Sequence, residues 1–412
     1  MPESESVEIS GHLIDTGILS MVLDDIRDYD GDWVIDRFDV GHEAGDLSSA
    51  RITISAADSE TLERLLMRLQ TRGANTVDPG EARTEPCETD GVLPDGFYST
   101  TNLATRVRLE GHWIPVENPE MDCGLVVERS GDRTTVRTVP MADVKAGMQV
   151  VCGASGLRVD LPAMTKAEGS FGFMESDVSS EKPQAVLVRQ VADGIREAKA
   201  AGRKVLWVGG PGIVHTGAAP AMVAMVRAGF VDVLFAGNAL ATHDIEASLF
   251  GTSLGVDLAQ GRGVEHGHEH HIRALNTIRK AGSIRAAVDQ GVLRGGIMHA
   301  LVTGGKRYVL VGSVRDDGPL PDVHTDVIDG QRAMRAELTD VGFCLMVATM
   351  LHSVATGNIL PASIPLVCVD INPATVTKLA DRGSSQARGI VTDVGLFLEQ
   401  LAGELVPAYR RS

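Results

Sequence analysis

The chain has 412 residues, 43% of them hydrophobic and 23% charged, which is ordinary for a folded globular protein and excludes a disordered or fibrous one. Its length is sufficient for two or three domains. A formal net charge of -17 disfavours nucleic acid and anionic membrane surfaces as partners, because both are negatively charged.

The five cysteines are scattered and form no C-x-x-C pair, which indicates reduced thiols rather than a disulfide framework or a structural zinc site. The N-terminal residues lack the basic and apolar regions of a secretory signal. No apolar run approaches the roughly 18 residues of a membrane span. We therefore expect a cytoplasmic protein.

Residues 1–80 are expected to form a small ferredoxin-like α+β module. The pattern predicts a strand, a helix, two strands and a second helix, at Val7–Leu13, Ile18–Tyr29, Trp33–Val40, Ser48–Ala56 and Ser59–Arg72. The second helix begins with a Ser N-cap and places leucines at the i, i+3, i+4, i+7 positions of an amphipathic helix. The order β-α-β-β-α resembles the ferredoxin-like fold.

A polar stretch between Thr76 and Gly96 contains two turn-forming combinations, Asp-Pro-Gly and Pro-Asp-Gly, and predicts a linker. Residues 97–165 then alternate apolar and polar side chains in short runs, which predicts a small antiparallel β module. Its strands are expected at Thr105–Leu109, Cys123–Glu128, Thr134–Val139 and Gln149–Val151.

Residues 180–412 are expected to form a parallel α/β domain. Helices predicted at Gln184–Ala201 and Gly217–Ala228 alternate with apolar strands at Lys204–Val208, Val231–Phe235, Arg307–Val311 and Pro365–Val369. Continuous apolar strands separated by helices are typical of a parallel sheet buried on both faces. Because ligands bind at the carboxyl ends of such strands, the segments that follow them are where a site is expected.

Two of these segments carry histidines. Gly209–Gly217 is a Gly-rich turn into a helix, and it either binds a phosphate at the helix N-terminus or is only a tight strand-to-helix connection. It lacks the motif G-x-G-x-x-G, because His215 stands at the third Gly position. Ala236–Glu246 joins small residues to His243 and Asp244, which are candidates for general acid–base chemistry. The alternative for Asp244 is a helix cap.

The other two strand ends are acidic. Gly312–Asp322 is a Pro-interrupted loop that either orders on a ligand or is an exposed connection. Asp370 follows the last predicted strand, at the position from which a carboxylate accepts the ribose hydroxyls of a nicotinamide cofactor. Asp is also a common turn former at such a position.

Together these segments resemble one family. The runs that carry the resemblance are GGPGIVHTG (Gly209–Gly217), GNALATHDIE (Gly237–Glu246), FGTSLG (Phe250–Gly255), GSVRDDGPLPDV (Gly312–Val323) and VCVDINPATVTKLADRGSSQARGIVTDVG (Val367–Gly395). They are similar to the NAD-dependent archaeal-type ornithine cyclodeaminases, a family also found as the C-terminal part of bifunctional arginine dihydrolase/ornithine cyclodeaminases and in "LOR/SDH conserved region" proteins. The similarity extends over nearly the whole chain, Phe173–Pro183 included.

The resemblance implies a deoxyhypusine-synthase-like NAD-binding domain and a reaction that converts L-ornithine into L-proline and ammonia while the hydride taken from the substrate is returned to it. Arginine hydrolysis is not expected, because the dihydrolase half is missing. Carried over position by position, the cofactor contacts fall on Asn238, Ala239, Asp317, Thr349, Met350, Leu351, His352, Asp370, Asp393 and Val394.

The implied reaction needs a proton shuttle beside the nicotinamide, and the catalytic candidates are His243, Asp244 and His215. Arg315 is the candidate for the substrate carboxylate, because it precedes the Asp pair of the acidic loop. Either Asp316 or Asp322 is the candidate for the distal ammonium.

The run from His266 to His271 suggests a metal site, since imidazoles bind zinc and nickel and His266, His268 and His270 would share one face of an extended strand. No second ligand cluster accompanies it, so we expect no metal and interpret the run as a solvated helix start.

Two further function classes stay open beside the cyclodeaminase. One is an ordinary dehydrogenase of a related amino acid, and the other is a non-catalytic sensor of NAD and an amino acid. For the favoured class we expect a homo-oligomer that binds the small-molecule substrate ornithine.

Overall fold

The computed structural model describes residues 3–14, 17–41, 46–131, 133–161, 178–179, 184–253, 256–257, 269–316, 318–381 and 387–410. The chain divides into two compact units, one formed by Met1–Ala167 with Asn358–Ser363 and the other by Glu168–Gly357 with Ile364–Ser412. The first unit holds both predicted small modules, and it also takes a short segment from within the span predicted for the α/β domain.

The ferredoxin-like part of the first unit is an antiparallel sheet with two helices. Its described elements are β1 (Glu3–Gly11), α1 (Ile18–Asp28), β2 (Asp32–Asp39), β3 (Ser48–Ala56), α2 (Ser59–Gln70) and β4 (Asn75–Thr76), with strand order β2-β3-β1-β4. The short β4 completes the β-α-β-β-α-β order of this fold. Helix α2 is capped by Asp58 rather than by Ser59, since the Asp58 carboxylate accepts the Thr61 N–H at 2.8 Å.

The second part of this unit is a sheet whose order is β11-β6-β7-β9-β8-β10-β5. Its strands are β5 (Arg83–Pro86), β6 (Ala104–Leu109), β7 (His112–Glu117), β8 (Cys123–Ser130), β9 (Arg133–Pro140), β10 (Gln149–Cys152) and β11 (Leu157–Asp160). The predicted antiparallel pairing holds for these neighbours except β7 and β9, which are parallel. Because β5 pairs with β10, this part of the predicted linker belongs to the sheet.

The second unit is built on a parallel sheet. Its strands are β12 (Val178–Ser179), β13 (Lys204–Gly209), β14 (Val233–Gly237), β17 (Arg307–Val311), β18 (Val323–His324), β19 (Val341–Val347), β20 (Leu366–Asp370) and β21 (Ala387–Val391). They lie in the order β12-β21-β20-β19-β13-β14-β17-β18. The parallel α/β prediction is confirmed, although β12, β18, β19 and β21 were not among the predicted strands. A separate hairpin pairs β15 (Thr252–Ser253) with β16 (Val256–Asp257).

The second unit has eleven described helices. They are α3 (Gln184–Ala200), α4 (Gly212–His215), α5 (Ala219–Arg227), α6 (Asn238–Phe250), α7 (His270–Ala281), α8 (Ile284–Asp289), α9 (Gly296–Thr303), α10 (Val327–Ala336), α11 (Leu351–Ile359), α12 (Pro373–Asp381) and α13 (Val394–Leu405). Of these, α3 to α9 and α13 share one apolar core with the sheet. The described part of the chain has no helix that is both long and apolar enough to cross a membrane.

Candidate active site

At one point along the carboxyl edge of the parallel sheet, the order in which successive strands are added reverses. From β13 the strands continue outward through β14, β17 and β18, whereas β19 pairs with the opposite side of β13 and is followed by β20 and β21. The segments that follow β13 and β19 therefore leave the sheet in different directions. In open parallel sheets, ligands bind in the crevice at such a switch point.

Backbone from both sides meets closely at this switch point. A Cβ on Gly210, directly after β13, would overlap the carbonyl oxygen of Ala348, directly after β19, so only glycine fits there. The Gly210 N–H donates to the Val347 carbonyl at 2.9 Å, and Ala348 has a left-handed φ of 56°. This part of the crevice is thus formed by two tight turns of backbone.

Four residues that the resemblance assigns to the cofactor follow the Ala348 turn. Thr349 and Met350 precede α11 rather than lying in it, while Leu351 and His352 form its first turn. His352 reaches the end of β14, since a Cβ on Gly237 would lie 3.0 Å from its Cε1. Burial lowers the pKa of His352, and a hydrogen bond to the Val311 backbone opposes this effect only in part. The ring is therefore neutral near pH 7.

Asn238 and Ala239 begin α6 directly after β14, so they lie at the same edge. The Asn238 side chain is buried, and its Oδ1 accepts the Leu320 N–H at 3.0 Å and the Thr242 hydroxyl at 3.3 Å. This amide therefore ties the acidic loop after β17 to the start of α6. Asp317 of that loop lies outside the described residues.

Asp370 is the last residue of β20 and is 8% exposed. Its Oδ1 accepts the Asn372 N–H at 2.8 Å, which fixes the carboxylate at the strand end. This is the location expected of a carboxylate that accepts the ribose hydroxyls of a dinucleotide.

Asp393 is the N-cap of α13, where its carboxylate accepts the Leu396 N–H at 2.7 Å, and Val394 is the buried first residue of that helix. A Cβ on Gly395 would lie 3.1 Å from the Thr216 side chain. The start of α13 is therefore beside the turn that follows β13.

Two of the catalytic candidates are brought together in a hydrogen-bonded group that we call the histidine–glutamate cluster. The His215 and His243 rings meet edge to face with centroids 4.8 Å apart. His215 Nδ1 lies 2.7 Å from the Ser253 hydroxyl, and His243 Nδ1 lies 2.9 Å from Oε2 of the fully buried Glu246. The cluster comprises His215, His243, Glu246, Thr252, Ser253 and His270.

The environment of His215 favours its neutral form. Burial lowers its pKa, the neighbouring His243 lowers it further, and Glu246 opposes both effects. His215 therefore remains a proton acceptor to lower pH than an exposed histidine does.

Asp244 is directed away from this cluster. It is 1% exposed, and its two oxygens accept the N–H groups of Ile297 and Met298 at 2.7 and 2.8 Å, so it caps α9. Burial raises its pKa to about 6, although these hydrogen bonds oppose the shift. Asp244 is therefore a helix cap, the alternative to a catalytic role, although it caps α9 rather than its own helix. Gly296 is required beside it, because a Cβ at that position would lie 2.7 Å from Oδ2 of Asp244.

The candidates in the acidic loop differ in their contacts. Arg315 is exposed, while Asp316 accepts the Ser313 N–H at 2.9 Å. Asp322 accepts the Tyr308 hydroxyl at 3.0 Å and the Ile284 N–H at 2.8 Å, so both of its oxygens support neighbouring elements.

The histidine-rich run is only partly described, since His266 and His268 lie outside the described residues. His270 and His271 begin α7, as expected for a helix start. No group of three or more His, Cys, Asp or Glu side chains within the described ranges is arranged to hold a metal ion.

The sequence reasoning missed the polar partners of the two histidines. Glu246 stands three residues after His243, so on a helix the two share a face, but no helix carrying both residues was predicted. The hairpin strand β15 contributes Thr252 and Ser253, and the later helix α7 contributes His270. No local spacing pattern connects these residues to His215.

Three family models match consecutive parts of the chain. They are "LOR/SDH bifunctional enzyme conserved region" over residues 4–103, "Arginine dihydrolase ArgZ-like, C-terminal, first region" over 104–188, and "Arginine dihydrolase ArgZ-like, C-terminal, Rossmann fold" over 189–401. The last covers the parallel sheet from β13 to β21 and the histidine–glutamate cluster.

Individual proteins are similar over the whole chain. An ornithine cyclodeaminase of Methanothermobacter thermautotrophicus is 50% identical over 98% of both chains. The apo structure of the cyanobacterial arginine dihydrolase ArgZ is 35% identical with a TM-score of 0.85, and a ternary complex of AgrE with ornithine and NAD+ is 40% identical with a TM-score of 0.53. Each of these two matches covers 99% of this chain and 59% of the larger enzyme. The chain therefore belongs to the family of archaeal ornithine cyclodeaminases and the C-terminal part of ArgZ-like arginine dihydrolases.

Proposed function

We propose that this protein is an NAD-dependent ornithine cyclodeaminase that converts L-ornithine into L-proline and ammonia. The observation that carries the proposal is the pair of contacting imidazoles, His215 and His243, in the helices that follow the adjacent strands β13 and β14. The name of the archaeal relative and the ornithine and NAD+ in the AgrE complex support the same activity.

The residues at the sheet edge fit NAD. The Gly210 turn packs directly against the Ala348 backbone and so fixes the shape of the crevice, and the buried Asp370 carboxylate is held at the end of β20. Beside these, the residues proposed to hold the cofactor are Asn238, Ala239, Asp317, Thr349, Met350, Leu351, His352, Asp393 and Val394. When bound, NAD supplies a hydride acceptor for the substrate Cα and later returns the hydride.

The contribution of the protein is then proton transfer between the two substrate amines. The δ-ammonium must lose a proton before its nitrogen can attack, and the α-amine must gain one before it departs as ammonia. An imidazole performs both tasks in sequence, because the neutral ring accepts the first proton and the resulting imidazolium donates one to the departing amine. The lowered pKa of His215 favours the neutral form of that ring. Asp244 has no part in this proposal, because both of its oxygens accept N–H groups of α9.

The proposal includes a cytoplasmic homo-oligomer. Support for self-association comes from β2, an edge strand of the ferredoxin-like sheet. It exposes the apolar side chains of Val34, Ile35 and Phe38, and an exposed apolar edge strand favours pairing with another chain.

Incubation of the purified protein with ornithine and NAD tests the activity. We expect proline and ammonia in equal amounts without accumulation of NADH, because the hydride returns to the substrate. A dehydrogenase of a related amino acid would instead accumulate NADH, and a sensor would form no product. Either result would overturn the proposal, and protein stripped of cofactor serves as the control.

A further inference from the structure

Glu246 is a buried charged group that the proposed mechanism leaves without a role. Its side chain is 0% exposed, and burial of a carboxylate is costly unless donors compensate it. Two donors lie within the cluster: His243 Nδ1 at 2.9 Å from Oε2, and the Thr252 hydroxyl at 2.9 Å from Oε1. The carboxylate therefore connects one candidate catalytic ring to a hydrogen-bonded chain.

The direction of these hydrogen bonds determines where the hydrogens lie. A carboxylate only accepts, so His243 carries its hydrogen on Nδ1 and leaves Nε2 to exchange a proton. The Thr252 hydroxyl donates its single hydrogen to Glu246, so its oxygen accepts a hydrogen bond from His270 Nδ1, 2.8 Å away. His270 is in turn stacked on Phe250, with ring centroids 4.9 Å apart.

From this arrangement the geometry points to Glu246 as the positioning residue of the deamination: it holds the Nδ1–H tautomer of His243 and stabilises the imidazolium formed when Nε2 takes a proton from the substrate. This inference rests on the proposed function. The proton balance closes within the substrate, because His243 takes one proton from the δ-ammonium and gives one to the departing α-amine. Thr252 and His270 hold Glu246 in place.

Among the described residues, the titratable groups around His243 come from three elements. His215 faces it from α4, Glu246 lies one turn along α6, and His270 at the start of α7 acts through Thr252. From α9 the contact to α6 runs through the Asp244 carboxylate, whose oxygens point to the α9 backbone. Within the described ranges, Glu246 is thus the carboxylate directly bonded to the His243 ring.

The test is Glu246→Gln, which keeps the side-chain shape and removes the charge. Loss of an adjacent negative charge lowers the pKa of a histidine, so the acid limb of the kcat/KM profile should move to lower pH while the plateau falls at least about tenfold. The same charge also raises the pKa of His215, so its removal lowers the pKa of that ring. Glu399→Gln, which neutralises a glutamate bonded to the Tyr409 hydroxyl, is the matched control and should leave the profile unchanged.

A second pair of variants keeps the inference testable should Glu246→Gln fail to fold. Thr252→Val removes the donor with little change of shape and should lower kcat in the same direction as Glu246→Gln, whereas Thr252→Ser should restore it. An unshifted acid limb in folded Glu246→Gln, or equal kcat in the two Thr252 variants, overturns the role of Glu246. Absence of proline formation by the wild type would refute the proposed function itself, so the two failures are distinguishable.

Discussion

Replacing His243 with alanine should lower proline formation by about 10²–10⁴-fold, the contribution typical of a general acid–base group. The ring lies in α6 beyond the end of β14, in contact with His215 and bonded to Glu246, so its removal takes the proton carrier away from the substrate amines. NAD affinity should hardly change, because the cofactor contacts are assigned to other residues. Turnover, NAD affinity and the thermal midpoint are measured on one preparation.

His324→Ala is the matched control, since this exposed histidine on β18 has no proposed role and should retain wild-type turnover. If His243→Ala lowers the thermal midpoint but turns over normally per folded molecule, the ring only packs in the protein. Catalysis would then have to be assigned to His215.

Replacing Asp370 with asparagine should weaken NAD binding by about 1–3 kcal/mol, the usual cost of losing hydrogen bonds to a charged group. The asparagine oxygen can still accept the Asn372 N–H, so the turn after β20 should persist. Discrimination against NADP should decrease as well, because the carboxylate that repels a 2′-phosphate is gone. Calorimetric titration with each cofactor measures both effects.

Asp326→Asn provides the control for this substitution. Asp326 is the exposed N-cap of α10 in the same unit, and its change should leave NAD affinity as it was. Equal binding of NAD and NADP to the wild type would contradict the assignment of Asp370 to the ribose.

The sequence predicted the sheet best where local signals are strong. The buried strands β13, β14, β17 and β20 are apolar runs bounded by turn residues, and all four were anticipated with small shifts at their ends. β19 is just as apolar, but it pairs with β13, which is far away in sequence, and no local pattern predicts such a pairing. The switch point, which depends on that pairing, therefore required the structure.

The candidate site shows the same limit. His215 and His243 were singled out because they follow strands, yet their edge-to-face contact depends on how α4 packs against α6. Asp244 was grouped with His243 as its sequence neighbour, but adjacent residues on a helix point in different directions. One therefore faces His215, and the other faces the start of α9.

The central claim, that the hydride leaves and returns to the same carbon during one stay of the substrate, is tested most directly with ornithine deuterated at Cα. With NAD present, the account predicts proline that retains the deuterium at Cα, no label in water and no free labelled NADH. Proline without deuterium, or deuterium released into the NADH pool, would contradict it.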